Sequence, residues 1–505
     1  MRGATRAVNG LGVDVVGALN LVGALVKYLG LAFVFPIAVA AGYGEAVWPF
    51  VVAGALTAGC GFALERATRG KESVGAREGY LVVSVVWLLV ALFGAVPYLL
   101  AEPQLSRPVD AFFESMSGFS TTGSSVVADL DALTRSMALW RQFTQWIGGV
   151  GIIVMFLAVL PRLRVGGRQA LFKTEMPGPE LPLATTIRES SRRFLTLYVA
   201  ITLLEILVLA VLGWTEVDPR MTLFNATAHA FATVSTAGFS PEARSMEPFA
   251  PATQWVTVAF MLIAGTNFAL LFAGLVGRRP RLIVRDEEVR VGLLLLVSAT
   301  VIVVVGLVSA DILGGIDAVR HGVFNTVSMM TTTGFASADF AAWSPLTSLV
   351  LFGAVMVGAS AGSTGGSIKL IRHIVIAKML RREIDQTLHP EVVAPLRVNG
   401  AVVDERALRA IIVFVFLYVG VCAAGAVIVL VDSTLQGVEV TAFHSLTAAA
   451  TTLGGAGPSL GFAGPMGSFE PFSDASGLVL TALMYLGRLE IVPVLVLFTA
   501  SHWRG

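Results

Sequence analysis

Ser120-Thr121-Thr122-Gly123-Ser124, Ser235-Thr236-Ala237-Gly238-Phe239, Thr331-Thr332-Thr333-Gly334-Phe335 and Gly454-Gly455-Ala456-Gly457-Pro458 are four small-residue clusters, each built around a glycine. Each follows a short semi-apolar stretch: Val109–Phe119, Thr222–Ala232, Asp317–Val327 and Val438–Ala448. Such a stretch is too short to cross a bilayer, which takes about 20 residues. A run long enough to cross lies before each stretch and another after each cluster. One Thr-Thr-Gly is ordinarily only a turn. Four of them at the same step of a fourfold internal repeat predict re-entrant loops, in which the chain dips into the membrane and returns.

The composition agrees with a membrane setting. Of the 505 residues, 55% are hydrophobic and 14% charged, against roughly 25% charged in soluble domains, and the mean hydropathy is +0.78. Spanning runs are read at Trp48–Leu64, Tyr80–Leu100, Leu139–Leu160, Phe194–Trp214, Trp255–Val276, Val291–Leu313, Leu346–Ile371, Leu408–Val431 and Leu478–Phe498. Val15–Ala41 makes ten. Lys27 interrupts that run, so Asp14–Val26 is expected to lie along the interface and the span proper to begin near Tyr28. No signal-peptide cleavage pattern follows it, and the segment is taken as retained. The predicted fold is all-α integral membrane, with four membrane–pore-loop–membrane (M1-P-M2) repeats around a pseudo-fourfold pore. Two N-terminal spans (1–78) precede the repeats at 79–170, 171–285, 286–400 and 401–505.

Charge placement orients the chain. Of the 35 Lys and Arg, 24 lie in one alternate set of connections, such as Arg162, Arg164, Arg168 and Lys173, and six in the other. The positive-inside rule makes the first set cytoplasmic, together with both termini. The net charge of +1 gives no field that would attract nucleic acid. Cys60 and Cys422 sit in apolar runs without metal-ligand spacing and read as small hydrophobes.

Non-helical backbone is tolerated at membrane depth only where it is buried in protein or lines a water-filled cavity. Four loops about one axis satisfy both conditions. Their carbonyl oxygens can replace the hydration shell of a cation, as in K+ filters, and glycine supplies the unusual φ and ψ that this needs. The short helix before each loop would direct its partly negative C-terminus at the pore centre, which favours cations over anions.

Two other features stand out. Gly358-Ala-Ser-Ala-Gly362-Ser363-Thr364-Gly365-Gly366-Ser-Ile-Lys369 lies inside a spanning run, and each glycine costs a helix about 1 kcal/mol relative to alanine. Close helix packing is the other reading of such a run. A phosphate loop is disfavoured because no Gly-Lys-Ser/Thr follows. Arg488 stands within the last span, where a charge must face a cavity or a partner. A pair with Glu490 is the plain alternative, but residues two apart do not face each other on a helix. Asn225, His229, His321, Asn325 and His444 on the short helices are expected to hold the loops in place.

On these motifs the chain resembles, over essentially its whole length, the TrkH/TrkG/KtrB superfamily of bacterial potassium transporters, with the two extra N-terminal spans of the TrkH type. The resemblance implies a K+ filter at Thr121, Thr122, Gly123, Thr236, Ala237, Gly238, Thr332, Thr333, Gly334, Gly455, Ala456 and Gly457. Glycine rather than serine at the first filter position implies K+ over Na+. The fourth loop lacks hydroxyl residues before its glycine, and Gly457 is preferred to Gly455 on the Gly-Pro that follows, as in the family. The resemblance also implies an intramembrane gating loop (Gly358, Gly362, Ser363, Thr364, Gly365, Gly366, Lys369) with Arg488 opposing cation passage. It implies K+ as the bound ion with Rb+ as its analogue, a homodimer in the lipid bilayer of the bacterial inner membrane, and a cytoplasmic TrkA-type nucleotide-binding ring as partner. K+ symport with H+ or Na+ is the alternative, for which Glu114, Glu205 and Glu490 are the available intramembrane carboxylates. An enzyme is not expected, because the six histidines form no nucleophile–base or metal constellation.

Overall fold

The computed structural model describes residues 12–69, 75–158, 187–391 and 395–504. The basic residues Lys71, Arg162, Arg164, Arg168 and Lys173 fall outside the described residues. Helix α1 (Val15–Tyr43) passes through a 3-10 turn at Gly30–Phe33 without breaking and packs antiparallel on α2 (Trp48–Ala67). The two approach through glycines: a Cβ at Gly61 would run into the backbone of Lys27, and one at Gly23 would lie 2.5 Å from the Glu65 nitrogen. Small residues of this kind let helix backbones meet closely in lipid. The expected interfacial segment 14–26 therefore does not separate from the span. Lys27 is accommodated by an ion pair with Glu65 at 2.5 Å.

Beyond α2 a set of elements recurs four times. Its first member is a long apolar helix: α3 (Arg77–Ala101), α6 (Ile187–Trp214), α10 (Glu287–Ser309) or α14 (Glu405–Gln436). A short helix follows: α4 (Pro108–Phe119), α7 (Leu223–Val234), α11 (Gly315–Met330) or α15 (Ala442–Gly454). These begin where local chemistry permits: Pro108 opens α4, and the side chains of Thr222 and Thr441 cap α7 and α15 by accepting from Asn225 N–H and His444 N–H. They are largely buried, with Phe113, Ala228, Phe324 and Ala449 at or near zero exposure. A loop then leads to a last helix, and here the four differ.

The first, α5 (Arg135–Ala158), is one helix. The second is broken into α8 (Pro251–Ala264) and α9 (Phe268–Val276), bent by 102°. The third stops and resumes as α12 (Pro345–Val357) and α13 (Leu370–Leu388), and the fourth as α16 (Asp474–Arg488) and α17 (Val492–Leu497). Among the described residues six helices are long and apolar enough to cross a bilayer, namely α1, α2, α3, α6, α10 and α14, or seven if the bent pair counts as one. The run Trp255–Val276, read as one spanning run, bends because Gly265 closes α8 and the Asn267 side chain caps α9 by accepting from Ala269 N–H and Leu270 N–H. The long helices keep large apolar side chains exposed, Leu203, Leu294 and Val301 among them, as a surface bathed in hydrocarbon would.

Candidate functional site

The four loops share one backbone path. The residue two before each glycine has a positive φ: Thr121 55°, Thr236 51°, Thr332 56° and Gly455 66°. The glycines themselves have φ of 86° at Gly123, 77° at Gly238, 83° at Gly334 and 83° at Gly457. Between them, the N–H groups of Thr122, Ala237, Thr333 and Ala456 each donate five residues back, to Ser117, Ala232, Ser328 and Thr451, at 2.8–2.9 Å. Left-handed φ in a β-branched threonine is a true outlier, and such outliers concentrate where surrounding structure enforces them for a purpose. The pattern also fixes register in the fourth loop. Gly457 is the counterpart of Gly123, and Gly455 that of Thr121.

The loops close on one another. A Cβ added at Gly123 would strike the carbonyl oxygen of Ala237; at Gly238, that of Thr333; at Gly334, that of Ala456; and at Gly457 it would lie 2.8 Å from that of Thr122. Each glycine thus abuts the carbonyl just before the glycine of the next loop, and the series returns to its start. The filter residues predicted from the sequence are brought together as this ring.

Side chains on the short helices brace the outgoing strands. Glu114, wholly buried, accepts from Val126 N–H at 3.0 Å and from Arg141 Nε at 2.7 Å. His229 Nε2 meets Ser240 Oγ at 3.0 Å, and Asn325 Nδ2 donates to Ser337 Oγ at 3.1 Å. These three occupy the position nine before their glycines. The fourth repeat has Ala448 there, and the neighbouring Thr447 meets Ser459 Oγ at 2.9 Å instead. His321 also reaches Ser337, Asn225 reaches Glu242, and the ring of His444 packs against Gly461, so the polar residues singled out on these helices do contact the loop segments. Sequence reading missed Arg141, whose guanidinium also lies 4.2 Å from the Phe239 ring centre. It missed Gln145 as well, which donates to Ala237 O at 2.8 Å and accepts from Phe239 N–H at 3.2 Å.

Beneath the ring runs the small-residue segment 358–369, non-helical as its composition predicts, with positive φ at Gly358, Gly362, Ser367 and Lys369. Thr364 Oγ1 donates to Val234 O at 3.1 Å and accepts from Thr236 Oγ1 at 3.2 Å. Gly366 N–H donates to Thr332 Oγ1 at 2.8 Å, and a Cβ on Gly366 would strike the Gly454 carbonyl. Ser363 caps a turn within the segment by donating to Ser360 O and accepting from Gly365 N–H. The break between α8 and α9 receives the segment: Ser360 N–H donates to Gly265 O and Phe268 N–H to Gly362 O.

Arg488, 7% exposed, donates to Thr364 O and to Gly148 O, both at 3.0 Å. Glu490 pairs elsewhere, with Lys369 at 3.0 Å and Arg372 at 2.9 Å. Positive φ at Glu490 and Ile491 turns the chain out of α16, which separates the two charges. A small cavity remains between Thr121, Thr122 and Gly455 above and Gly365, Lys369 and Arg488 below. It offers about 20 Å³ to the centre of a water-sized sphere, enough for a water molecule.

Residues 50–504 match the family model TrkH, described as a cation transport protein. The Trk system potassium uptake protein TrkH of Halomonas elongata is 34% identical over 499 residues, covering 96% of this chain and 98% of that protein. TrkG of Escherichia coli K12 is 31% identical over 432 residues, covering 85% of this chain and 86% of its own. The crystal structure of the potassium transporter TrkH from Vibrio parahaemolyticus superposes with a TM-score of 0.86 at 30% identity, covering 97% of this chain and 100% of that one. The family is one of transport proteins and not of enzymes, and this chain belongs to it: it is a member of the TrkH family of cation transport proteins.

Proposed function

We propose that this chain is a K+ uptake protein of channel-like mechanism in the bacterial inner membrane, with its termini in the cytoplasm. In this reading the four repeats and the two N-terminal helices make ten spans. The ring at Thr121–Gly123, Thr236–Gly238, Thr332–Gly334 and Gly455–Gly457 is the selectivity filter. The observation that carries the reading is the cyclic contact of each loop glycine with the next loop's carbonyl, which leaves four backbone oxygens about one axis. A dehydrated cation needs oxygens in that disposition. Segment 358–369 is the gate and Arg488 its electrostatic guard, since both lie directly under the ring and Arg488 is hydrogen-bonded to the segment. The relatives are named potassium uptake proteins of a Trk system, which supports K+ as the ion. Rb+ as its analogue, a homodimer and a cytoplasmic TrkA-type nucleotide-binding ring complete the proposal.

Coupled symport is the second reading. Glu114 is committed to Arg141 and the first loop, and Glu490 to Lys369 and Arg372. Glu205, wholly buried on α6, is the carboxylate that coupling would use. The test is influx of K+, Rb+ and Na+ into proteoliposomes under an imposed potential at clamped pH. Selective K+ and Rb+ entry that follows potential alone is expected. Entry that requires a proton or sodium gradient transfers the case to symport.

A further inference from the structure

Three consecutive acids open α10. Asp286 caps the helix by accepting from Val289 N–H at 3.1 Å. Glu287 and Glu288 follow in the first turn and, being adjacent on a helix, point about 100° apart. Glu287 faces outward and Glu288 inward, and each has a distinct partner.

The outward partner is a small hairpin, β1 (Arg397–Val398) paired antiparallel with β2 (Ala401–Val402). Asn399 and Gly400 at its tip have φ of 49° and 82°, the Asn-Gly chemistry of a tight two-residue hairpin turn. Asn399 Oδ1 accepts from Glu287 N–H at 2.8 Å, Asn399 N–H donates to Glu287 Oε2 at 3.2 Å, and Asn399 Nδ2 donates to Asp286 Oδ2 at 2.8 Å. Lys378 of α13 pairs with Glu287 and donates to Arg397 O. The tip is exposed, yet it is tied at three points to the first turn of α10.

The inward partner is segment 358–369. Glu288, 2% exposed, accepts from Ala361 N–H at 2.8 Å and also faces the backbone N–H of Ile371. An acceptor oxygen beside the first turn of α13 meets that helix where its N–H groups have no partner within the helix. The apolar side repeats the connection: Ala361, Ile371 and Val375 share one buried cluster with Leu396, Val398 and Val403 of the hairpin. None of this follows from the ring itself, which lies on the other side of the segment.

We propose that Glu288 is a positioning residue for segment 358–369, and that the hairpin tip at Asn399 is a handle through which force on the exposed surface reaches that segment. The functional part rests on reading 358–369 as a gate. Displacing the tip pulls on the first turn of α10, and the rigid helix end carries Glu288 and its hold on Ala361 with it.

The test is hydrogen–deuterium exchange of the purified full-length protein, with Rb+ influx measured on the same preparations. Glu288→Ala is expected to raise amide exchange in peptides covering 358–369 by about tenfold, the loss of a buried hydrogen bond. Glu288→Gln, which keeps an acceptor oxygen, is expected to fall between that and wild type. Asn399→Ala, at an exposed tip, is expected to raise exchange in the same peptides while those covering 121–123 stay unchanged. Should Glu288→Ala fail to accumulate, Glu288→Gln and Asn399→Ala carry the test. Exchange that rises only in the hairpin of Asn399→Ala overturns the handle, and wild-type exchange at 358–369 in the Glu288 variants overturns the positioning role. If the segment loosens in both and Rb+ influx does not change, the mechanical link stands and the reading of 358–369 as a gate falls.

Discussion

The four short helices with their loops can nearly be exchanged for one another, whereas the four helices that follow them cannot. Every loop has the same two positive φ positions, the same bond five residues back and the same contact with its neighbour. Of the helices after them, one is continuous, one bends by 102°, one is interrupted for the length of segment 358–369 and one breaks briefly after Arg488 before α17. In the proposed filter, a spherical cation held by four oxygens would leave no room for one loop's backbone to differ. A single segment laid under the ring must make different contacts with each repeat, so symmetry has no value there.

Three substitutions sharpen this contrast. Gly334→Ala attacks the symmetric part: left-handed φ costs a non-glycine residue about 1–2 kcal/mol, and the methyl would also strike the Ala456 carbonyl. Rb+ uptake in liposomes is expected to drop by about a hundredfold; wild-type uptake would remove Gly334 from the ring. Arg488→Ala attacks the asymmetric part. Losing two charge-assisted bonds, to Thr364 O and Gly148 O, is expected to raise basal influx by about tenfold, and unchanged influx in folded protein would take Arg488 out of gating. Gln145→Leu probes the point where the two parts meet, since among the described residues Gln145 of α5 bonds directly to a ring carbonyl, Ala237 O. A shift in the K+/Na+ influx ratio of up to about fivefold is expected, the worth of one neutral hydrogen bond. An unaltered ratio would mean that the second loop holds its shape without it.

Much of the symmetric part was legible in the sequence, because it is local. Thr121-Thr122-Gly123 and its counterparts each follow a short stretch that cannot span, and the repeat of that step pointed to loops before any contact was known. Register in the fourth loop rested on a thinner signal, the Gly-Pro at Gly457-Pro458, since Gly455 stands where the others have threonine; the backbone angles agree with it. In the asymmetric part segment 358–369 and Arg488 stood out by composition, but their pairings were hidden for the opposite reason, the partners being far apart in the chain. Glu490 lies 121 residues from Lys369 and 118 from Arg372, and no periodicity signals such a pair. Lys27 misled in the same way, because its partner Glu65 sits on the next helix. The bend at 265–267 had a local signal, Gly265 two residues before the capping Asn267, obscured by the apolar run around it.

Two hydroxyl groups on the inner side of the ring are already spoken for: Thr236 Oγ1 by Thr364, and Thr332 Oγ1 by the N–H of Gly366. In the proposed reading, segment 358–369 therefore holds the ring as well as covering it. While it is seated, the Thr236 hydroxyl proton is turned toward Thr364 and one lone pair of Thr332 Oγ1 is taken by Gly366 N–H, so both hydroxyls are fixed in direction. Lifting the segment would release both in the same movement, so that clearing the path and freeing two side-chain oxygens to turn toward an ion would be a single event.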